Sequence, residues 1–395
     1  MTSDLPSKIL VVDNDQGVLN AVSQGLEAYK IQCSLAKDWE SALYMFNTNK
    51  FDLCLVSLEL ETLQGTALIQ KWRAHEMESK RFAAFVLSVS QQRKTGDSAL
   101  VKEIGDVAMI SKPIKIPTLL SLMASAMQMS RARASMYQVK DKLISPLLRS
   151  KKFEKAATIA KEKLEPAGEK GKFFSSQIYE AAGKVNEAIE LLKKLIESDP
   201  KNMAYHNELA KIYLQTGNIK EAQKSYEIAD QVAPGNIERV NDMANLYLKL
   251  KMPEKSIEKF SELINLNPEN QEMKYDVYDK LSDAGYLKHA QDFCRETSTP
   301  KELVRHFNNK GVLFSKAGEY PDAIDEYKKA VRLIPGSKEL YRILYNMAIA
   351  HINLKSFEHL KEANTLLLES LKMQPDFDKA KEKLKITQRY MGKKE

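Results

Sequence analysis

Apolar and polar positions follow two different rhythms along this chain. Between residues 8 and 130, short continuous apolar runs at 9–12 (ILVV), 53–56 (LCLV), 84–87 (AFVL) and 107–110 (VAMI) alternate with longer segments whose apolar residues recur at helical spacing. Continuous rather than alternating runs are what strands covered on both faces require. A weaker strand falls at 32–35 (QCSL). These βα alternations predict a doubly wound five-stranded parallel sheet of α/β class, whose chemistry stands at the carboxyl ends of its strands.

Farther along, the rhythm lengthens. Pro200, Pro234 and Pro268 fall 34 residues apart, as do Tyr179, Tyr213 and Tyr247, and Ala188, Ala222, Ser256 and Ala290 keep the same step. A bulky residue follows each small one by four (Leu192, Tyr226, Phe260, Cys294), and Gly183, Gly217 and Gly285 precede three of them by five, Lys251 standing in the remaining place. A fixed period with a small-to-bulky core step and a closing proline describes a helix-turn-helix unit stacked many times, because one unit alone buries too little. The join between the two rhythms reads as helical. From Pro117 the apolar positions Leu119, Leu120, Leu122, Met123, Met127 and Met129 keep the helical period, and no strong breaker precedes Pro146.

In the segment 203–236, Leu209-Ala210 and Tyr213 mark the core of a first helix, Gly217 the turn, Ala222 and Tyr226 a second helix, and Pro234 the exit. At these residues the chain resembles the tetratricopeptide repeat family. Six units keep the pattern, with departures: no tryptophan in the first helices, Thr297 for a small residue, one residue missing after Gln271, and extra residues at 358–362. Residues 153–164 fit as a degenerate first repeat and 378 to about 390 as a closing helix, since terminal repeats are atypical. The resemblance implies an all-α superhelix whose first helices line a concave groove for an extended peptide or a partner's helix. Off-core positions there are Asn207 and Lys211, Asn241 and Asn245, Tyr275 and Asp279, and Asn308 and Val312, bordered by Gln215, Lys249 and Arg305. Spacing of four puts each pair on one helix face, and amides and cations suit a peptide backbone and its carboxylates. An ordinary solvated face is the competing reading of any single one of them.

The strand ends carry their own pattern. Strand one ends in Asp13-Asn14, strand three in Ser57, strand four in Ser88, and strand five leads into Lys112-Pro113. From ILVVDND through FDLCLVSLELETLQG and FVLSVS to MISKP, the segment resembles the receiver domain of two-component response regulators, a flavodoxin-like fold. In that family an acidic pair after strand one and an aspartate after strand three hold Mg²⁺, and the latter aspartate takes a phosphoryl group that a strand-four hydroxyl and a strand-five lysine read. By the resemblance, Asp13 matches the first acid, Ser88 the hydroxyl and Lys112 the lysine. Asn14 replaces the second acid, Ser57 the acceptor, Met109 the aromatic switch, and Glu61 the proline after the acceptor.

Those departures point one way. Mg²⁺ favours anionic oxygens in near-octahedral geometry, and an amide and a hydroxyl in place of two carboxylates weaken its binding sharply. A serine hydroxyl attacks phosphorus only when a base or metal activates it, and no histidine is placed here by the motif. Asp15, Glu59 or Glu61 would have to restore the negative charge. The expectation is a pseudo-receiver without Mg²⁺ or other cofactor, its degenerate site comprising Asp13, Asn14, Ser57, Ser88 and Lys112.

Charge changes the picture in one place. The formal net charge of +7 sits in residues 131–172, which hold 12 basic and 5 acidic residues, while the flanking parts nearly balance. Arg131, Arg133, Lys140, Arg149, Lys151, Lys152 and Lys155 form this basic junction, read as a solvated helix face in preference to a site for nucleic acid or anionic membrane, for which no aromatic interleaving or motif is present. Three cysteines without ligand spacing argue against a disulfide framework or zinc site, and no apolar stretch reaches membrane-spanning length. There is no P-loop or dinucleotide turn, and the six histidines are scattered, so an enzyme is not expected.

The division expected is a receiver-like domain at 1–130, a basic helical junction at 131–168, repeats at 169–377, and a capping helix and tail at 378–395. The function expected is that of a cytoplasmic, bacterial signalling adaptor. Its receiver would dock a histidine kinase, another receiver or a second copy, and its groove would hold a protein or peptide. The alternative left open is a true response regulator with an unconventional acceptor and the repeats as output.

Overall fold

In the computed structural model, which describes residues 5–90 and 95–391 apart from the side chains of Met77 and Thr95, the apolar runs form β1 (Lys8–Val12), β2 (Gln32–Ala36), β3 (Leu53–Ser57), β4 (Ala84–Val89) and β5 (Val107–Ser111). All pair in parallel, in the order β2-β1-β3-β4-β5. The register sets Val12 beside Val56 and Ser57 beside Ser88, so the strand ends that matter lie side by side. Helices α1 (Gln16–Glu27), α2 (Trp39–Thr48), α3 (Gly65–Ser79), α4 (Thr95–Ile104) and α5 (Ile116–Val139) intervene or follow.

Each apolar run feeds two cores, because successive side chains of a strand point to opposite faces. Leu10, Val12, Cys54, Val56, Phe85 and Leu87 meet Trp39, Phe46, Leu68 and Trp72 of α2 and α3 on one face. Ile9, Val11, Leu53, Leu55, Ala84 and Val86 meet Leu19, Leu26, Leu119 and Met123 of α1 and α5 on the other. Trp72 anchors the first core, stacked on Phe46 with ring centroids 4.7 Å apart.

The chain divides into two compact units, Met1–Asn270 and Gln271–Glu395. In the first, α5 continues unbroken to Val139, a single π-helical turn (Lys140–Ile144) follows, and then come α6 (Ser145–Arg149) and α7 (Phe153–Lys163). Helical hairpins α8 (Glu169–Ala181) with α9 (Val185–Ser198), α10 (Met203–Gln215) with α11 (Ile219–Val232), and α12 (Ile237–Lys249) with α13 (Pro253–Leu266) complete it. The second unit contains α14 (Met273–Asp283) with α15 (Leu287–Thr297), α16 (Pro300–Ala317) with α17 (Tyr320–Leu333), α18 (Tyr341–Asn353) with α19 (Phe357–Met373), and α20 (Asp378–Met391). The division drawn at residue 130 therefore falls inside one continuous helix, and the compact unit takes in the sheet domain and the first three hairpins together.

The 34-residue step is the buried seam of the hairpins. Ala188, Ala222, Ser256 and Ala290 are fully enclosed beside Leu192, Tyr226, Phe260 and Cys294. Ser256 is tolerated because its hydroxyl donates to the Ala244 carbonyl at 2.8 Å. Lys251 departs from glycine in residue but not in conformation: its φ of 59° repeats the left-handed turn that Gly183, Gly217 and Gly285 make at 75°, 78° and 88°.

Candidate functional site

The end of the sheet is built by three strand termini. Asp13 follows β1 and is buried, its Oδ1 accepting the Asp15 N–H at 3.0 Å. Ser57 closes β3 with no exposed surface, and its hydroxyl donates to the Glu59 carbonyl at 3.1 Å. Behind it Gly65 opens α3 so close that a Cβ there would lie 2.1 Å from the Ser57 carbonyl oxygen. From β5 comes Lys112, whose ammonium stands 2.7 Å from Asp13 Oδ2 and donates to Ser57 Oγ at 2.9 Å. One cation thus ties the ends of β1, β3 and β5 together.

The remaining polar groups face elsewhere. Asp15 caps α1 by accepting the Gly17 N–H at 2.7 Å. Asn14, with its amide turned so that both ends are satisfied, donates to the Lys37 carbonyl at 3.1 Å and accepts the Glu61 N–H at 2.9 Å. Glu59 Oε1 accepts from the Ser90 hydroxyl at 2.6 Å, and Ser88 reaches the Val56 carbonyl only at 3.5 Å. Among the described residues no group of three or more His, Cys, Asp or Glu side chains gathers as a metal-holding set. The Mg²⁺ donors at the sheet end amount to one carboxylate already paired with a lysine, an amide turned to the backbone, and a hydroxyl.

A second polar site lies where α3 and α4 meet α10 to α13. Glu103 of α4 is buried, and its Oε1 accepts from Arg239 Nη1 at 2.7 Å and from the side-chain amides of Asn207 and Asn236. Arg239 is held from its own side as well: Nε donates to Asp230 at 3.2 Å, Nη1 to Asn207 Oδ1 at 3.1 Å, and Nη2 to the Ala233 carbonyl. Burial pushes the Glu103 carboxyl above the ordinary carboxylate range, with Arg239 and the amides opposing it. Around this centre Gln70 of α3 donates to the Gly235 carbonyl at 3.0 Å and accepts the Ile237 N–H at 2.9 Å, while Lys71 reaches Asn267 at 2.6 Å and Glu269 at 2.7 Å. Leu100 of α4 adds an apolar contact with Met203, Ala229 and Ala233.

The family model of the response regulator receiver domain matches residues 9–124, and a tetratricopeptide repeat model matches residues 179–231. The chain joins a receiver domain to tetratricopeptide repeats. A crystal structure of a tetratricopeptide repeat protein from Parabacteroides merdae is 16% identical, with 64% of this chain and 99% of that one covered and a TM-score of 0.35. A receiver domain protein from Clostridium thermocellum is 18% identical over 32% of this chain and 98% of that one, with a TM-score of 0.29. A CheY-like receiver domain protein from Methanospirillum hungatei is 22% identical over 32% and 98%, with a TM-score of 0.28. No curated protein matches the chain.

Within that frame, Lys112 of the expected receiver site contacts both Asp13 and Ser57, Asn14 is turned to the backbone, and Ser88 is buried beside Ser57. Asn207 needs correction. Expected to line an open groove, it is buried against Glu103, because α4 of the receiver packs where α10 and α12 begin. Lys211 pairs with Glu238, and the Asn245 amide donates to the Asn241 carbonyl at 2.7 Å, whereas Lys249 stays exposed. In the second unit Arg305 is exposed and Asn308 accepts from Asn346 at 2.7 Å.

The junction is corrected too. Arg133 is no part of a basic surface: it is buried between Glu76 and Asp106, at 3.2 and 3.4 Å, because α5 carries it back under the sheet. Glu76, squeezed there with Arg73, is raised by burial to about 7. Lys140 lies over the rings of Tyr137 and Phe174, while Arg131, Arg149, Lys151, Lys152 and Lys155 are exposed. Glu103 and Arg239 went unnoticed in the sequence. The 34-residue register held a signal, since Arg239 stands where neighbouring units place Tyr205 and Met273, an arginine at an apolar position.

Proposed function

We propose that the chain is a signalling adaptor in which a receiver that takes no phosphoryl group serves as a phosphorylation-independent docking module joined to repeats that bind protein. Receiver domains contact other signalling proteins and tetratricopeptide repeats bind proteins, which supports the general class. The finer reading is carried by the Lys112 ammonium, which fills the space between Asp13 and Ser57. A cation already neutralises the single inward carboxylate, so a second cation there would meet charge repulsion and too few anionic oxygens. Among the described residues the hydrogen-bond partners of the Ser57 hydroxyl are the Lys112 amine and the Glu59 carbonyl, neither of them a base placed to activate it. Mg²⁺ and acyl-phosphate chemistry are therefore absent from the mechanism, and partners recognise a single receiver conformation.

The test uses the indole of Trp39, whose Nε1 donates to Thr62 in the loop after β3 at 2.8 Å. Titrating the full chain with Mg²⁺, alone and with a small phosphodonor, should leave tryptophan fluorescence flat and the intact mass unchanged. A saturable signal, or a phosphoryl adduct mapped to Ser57 or Asp13, would return the chain to the working response regulators.

A further inference from the structure

The receiver sits on the repeats through a pocket that the repeats themselves build. Arg239 takes its fixed pose from Asp230, Asn207 and the Ala233 carbonyl, all on the repeat side. Asn236 spends its oxygen capping α12, accepting the Arg239 N–H at 2.9 Å, which leaves its amide nitrogen aimed outward, and Asn207 divides its side chain the same way. Three donors thereby converge on one point before any ligand is considered. Preorganised donors of this kind accept a carboxylate with little ordering cost.

The side chain that fills the pocket is less well served. Every donor reaches Oε1 of Glu103, while Oε2 is buried with no hydrogen bond among the described residues. Half of a desolvated carboxylate is uncompensated, so the docked state gains less from this pair than its short bonds suggest. The rest of the seam mixes polar contacts, through Gln70, Lys71 and the Lys102–Asp199 pair at 2.6 Å, with apolar ones from Leu100, Ile237 and Leu266, and so carries the polar share seen in interfaces between domains that move.

We propose that the receiver is a built-in, releasable ligand of the repeats, with Glu103 as its key, and that an acidic side chain on a helix of a partner protein takes the Arg239, Asn207 and Asn236 pocket when the receiver lets go. The pocket at the starts of α10 and α12 is then closed at rest and open after release. This rests on reading the repeats as a protein-binding module, but its first readout needs no partner, so it can fail while that reading stands.

Amide hydrogen exchange on the full chain compares wild type with Glu103→Arg, Glu103→Gln and the charge-swapped Glu103→Arg, Arg239→Glu double variant. Glu103→Arg should speed exchange in α4 and at the starts of α10 and α12 while β1 and β3 stay protected; Glu103→Gln should do so weakly, and the swap should restore protection. A fluorescent helical peptide copying residues 95–106, which carries Glu103, is the probe for the vacated pocket. It should bind Glu103→Arg at least about tenfold tighter than wild type, a difference near 1.4 kcal/mol, and the gain should vanish when the peptide's glutamate is glutamine. Unchanged exchange, loss of protection throughout β1 and β3, or equal binding of both peptides would each overturn the proposal.

Discussion

Two carboxylate–cation pairs in the first compact unit share one contact distance and differ in burial and in the cation used. At the sheet end Lys112 meets Asp13 with 24% of the lysine side chain exposed; at the repeat seam Arg239 meets Glu103 with 0% and 2% exposed. In the function proposed above, the first pair closes a site by putting an ammonium where a metal would need room. The second fastens one domain to another, in a setting where either charge left alone would be a serious defect. Burial, not distance, separates the two roles, for both pairs measure 2.7 Å. A point charge on a flexible stem suits the partly wet sheet end, and a planar fork held from several sides suits the dry seam.

The largest effect should come from breaking the buried pair. Arg239→Ala leaves Glu103 in a closed environment without its cation and should destabilise the first unit by about 3–5 kcal/mol, read from denaturant unfolding. Replacing both partners, Glu103→Leu with Arg239→Met, should recover most of that loss, because the penalty lies in the orphaned charge rather than in the absence of the bond. If the double variant is as unstable as Arg239→Ala, the pair holds the seam by attraction and the contrast with the sheet end disappears.

A smaller loss is expected at Lys112. Lys112→Met keeps the stem's packing and removes the charge, but Asp13 still accepts the Asp15 N–H and Ser57 still donates to the Glu59 carbonyl. Destabilisation of about 1–2 kcal/mol follows, in the range of one buried acceptor losing a partner. A loss matching that of Arg239→Ala would mean that partial exposure gives Asp13 no relief, and that the sheet end is as dry as the seam.

The same contrast explains what could be read from sequence. Strands, hairpins and the sheet-end residues were legible because each rests on a local rule: continuous apolar runs, a 34-residue step, residues at strand termini. Lys251 shows how far such rules carry, since even where glycine is missing the backbone keeps the left-handed turn. The seam was not legible, because Glu103 and Arg239 are 136 residues apart and nothing local in α4 marks a partner. Asn207 misled for a related reason: which neighbour would cover its part of α10 is a tertiary fact. Arg133 sat in a run of positive charge whose net sum hides that one member points inward.

The smallest effect lies at the edge of the seam and tests whether burial is the deciding variable there. Lys102 and Asp199 join the same two domains as Glu103 and Arg239, at 2.6 Å, yet 48% of the lysine side chain is exposed. Solvent screens such a pair and the long side chain loses freedom in making it, so Lys102→Ala should change stability by less than about 0.5 kcal/mol. Salt offers a second reading of the same point. Raising ionic strength should erase what little the Lys102 pair contributes while leaving the penalty of Arg239→Ala nearly intact, because mobile ions reach the rim and not the pocket. A Lys102→Ala penalty approaching that of Arg239→Ala would show the seam to be held by its perimeter, and the centre around Glu103 would lose its claim to be the key.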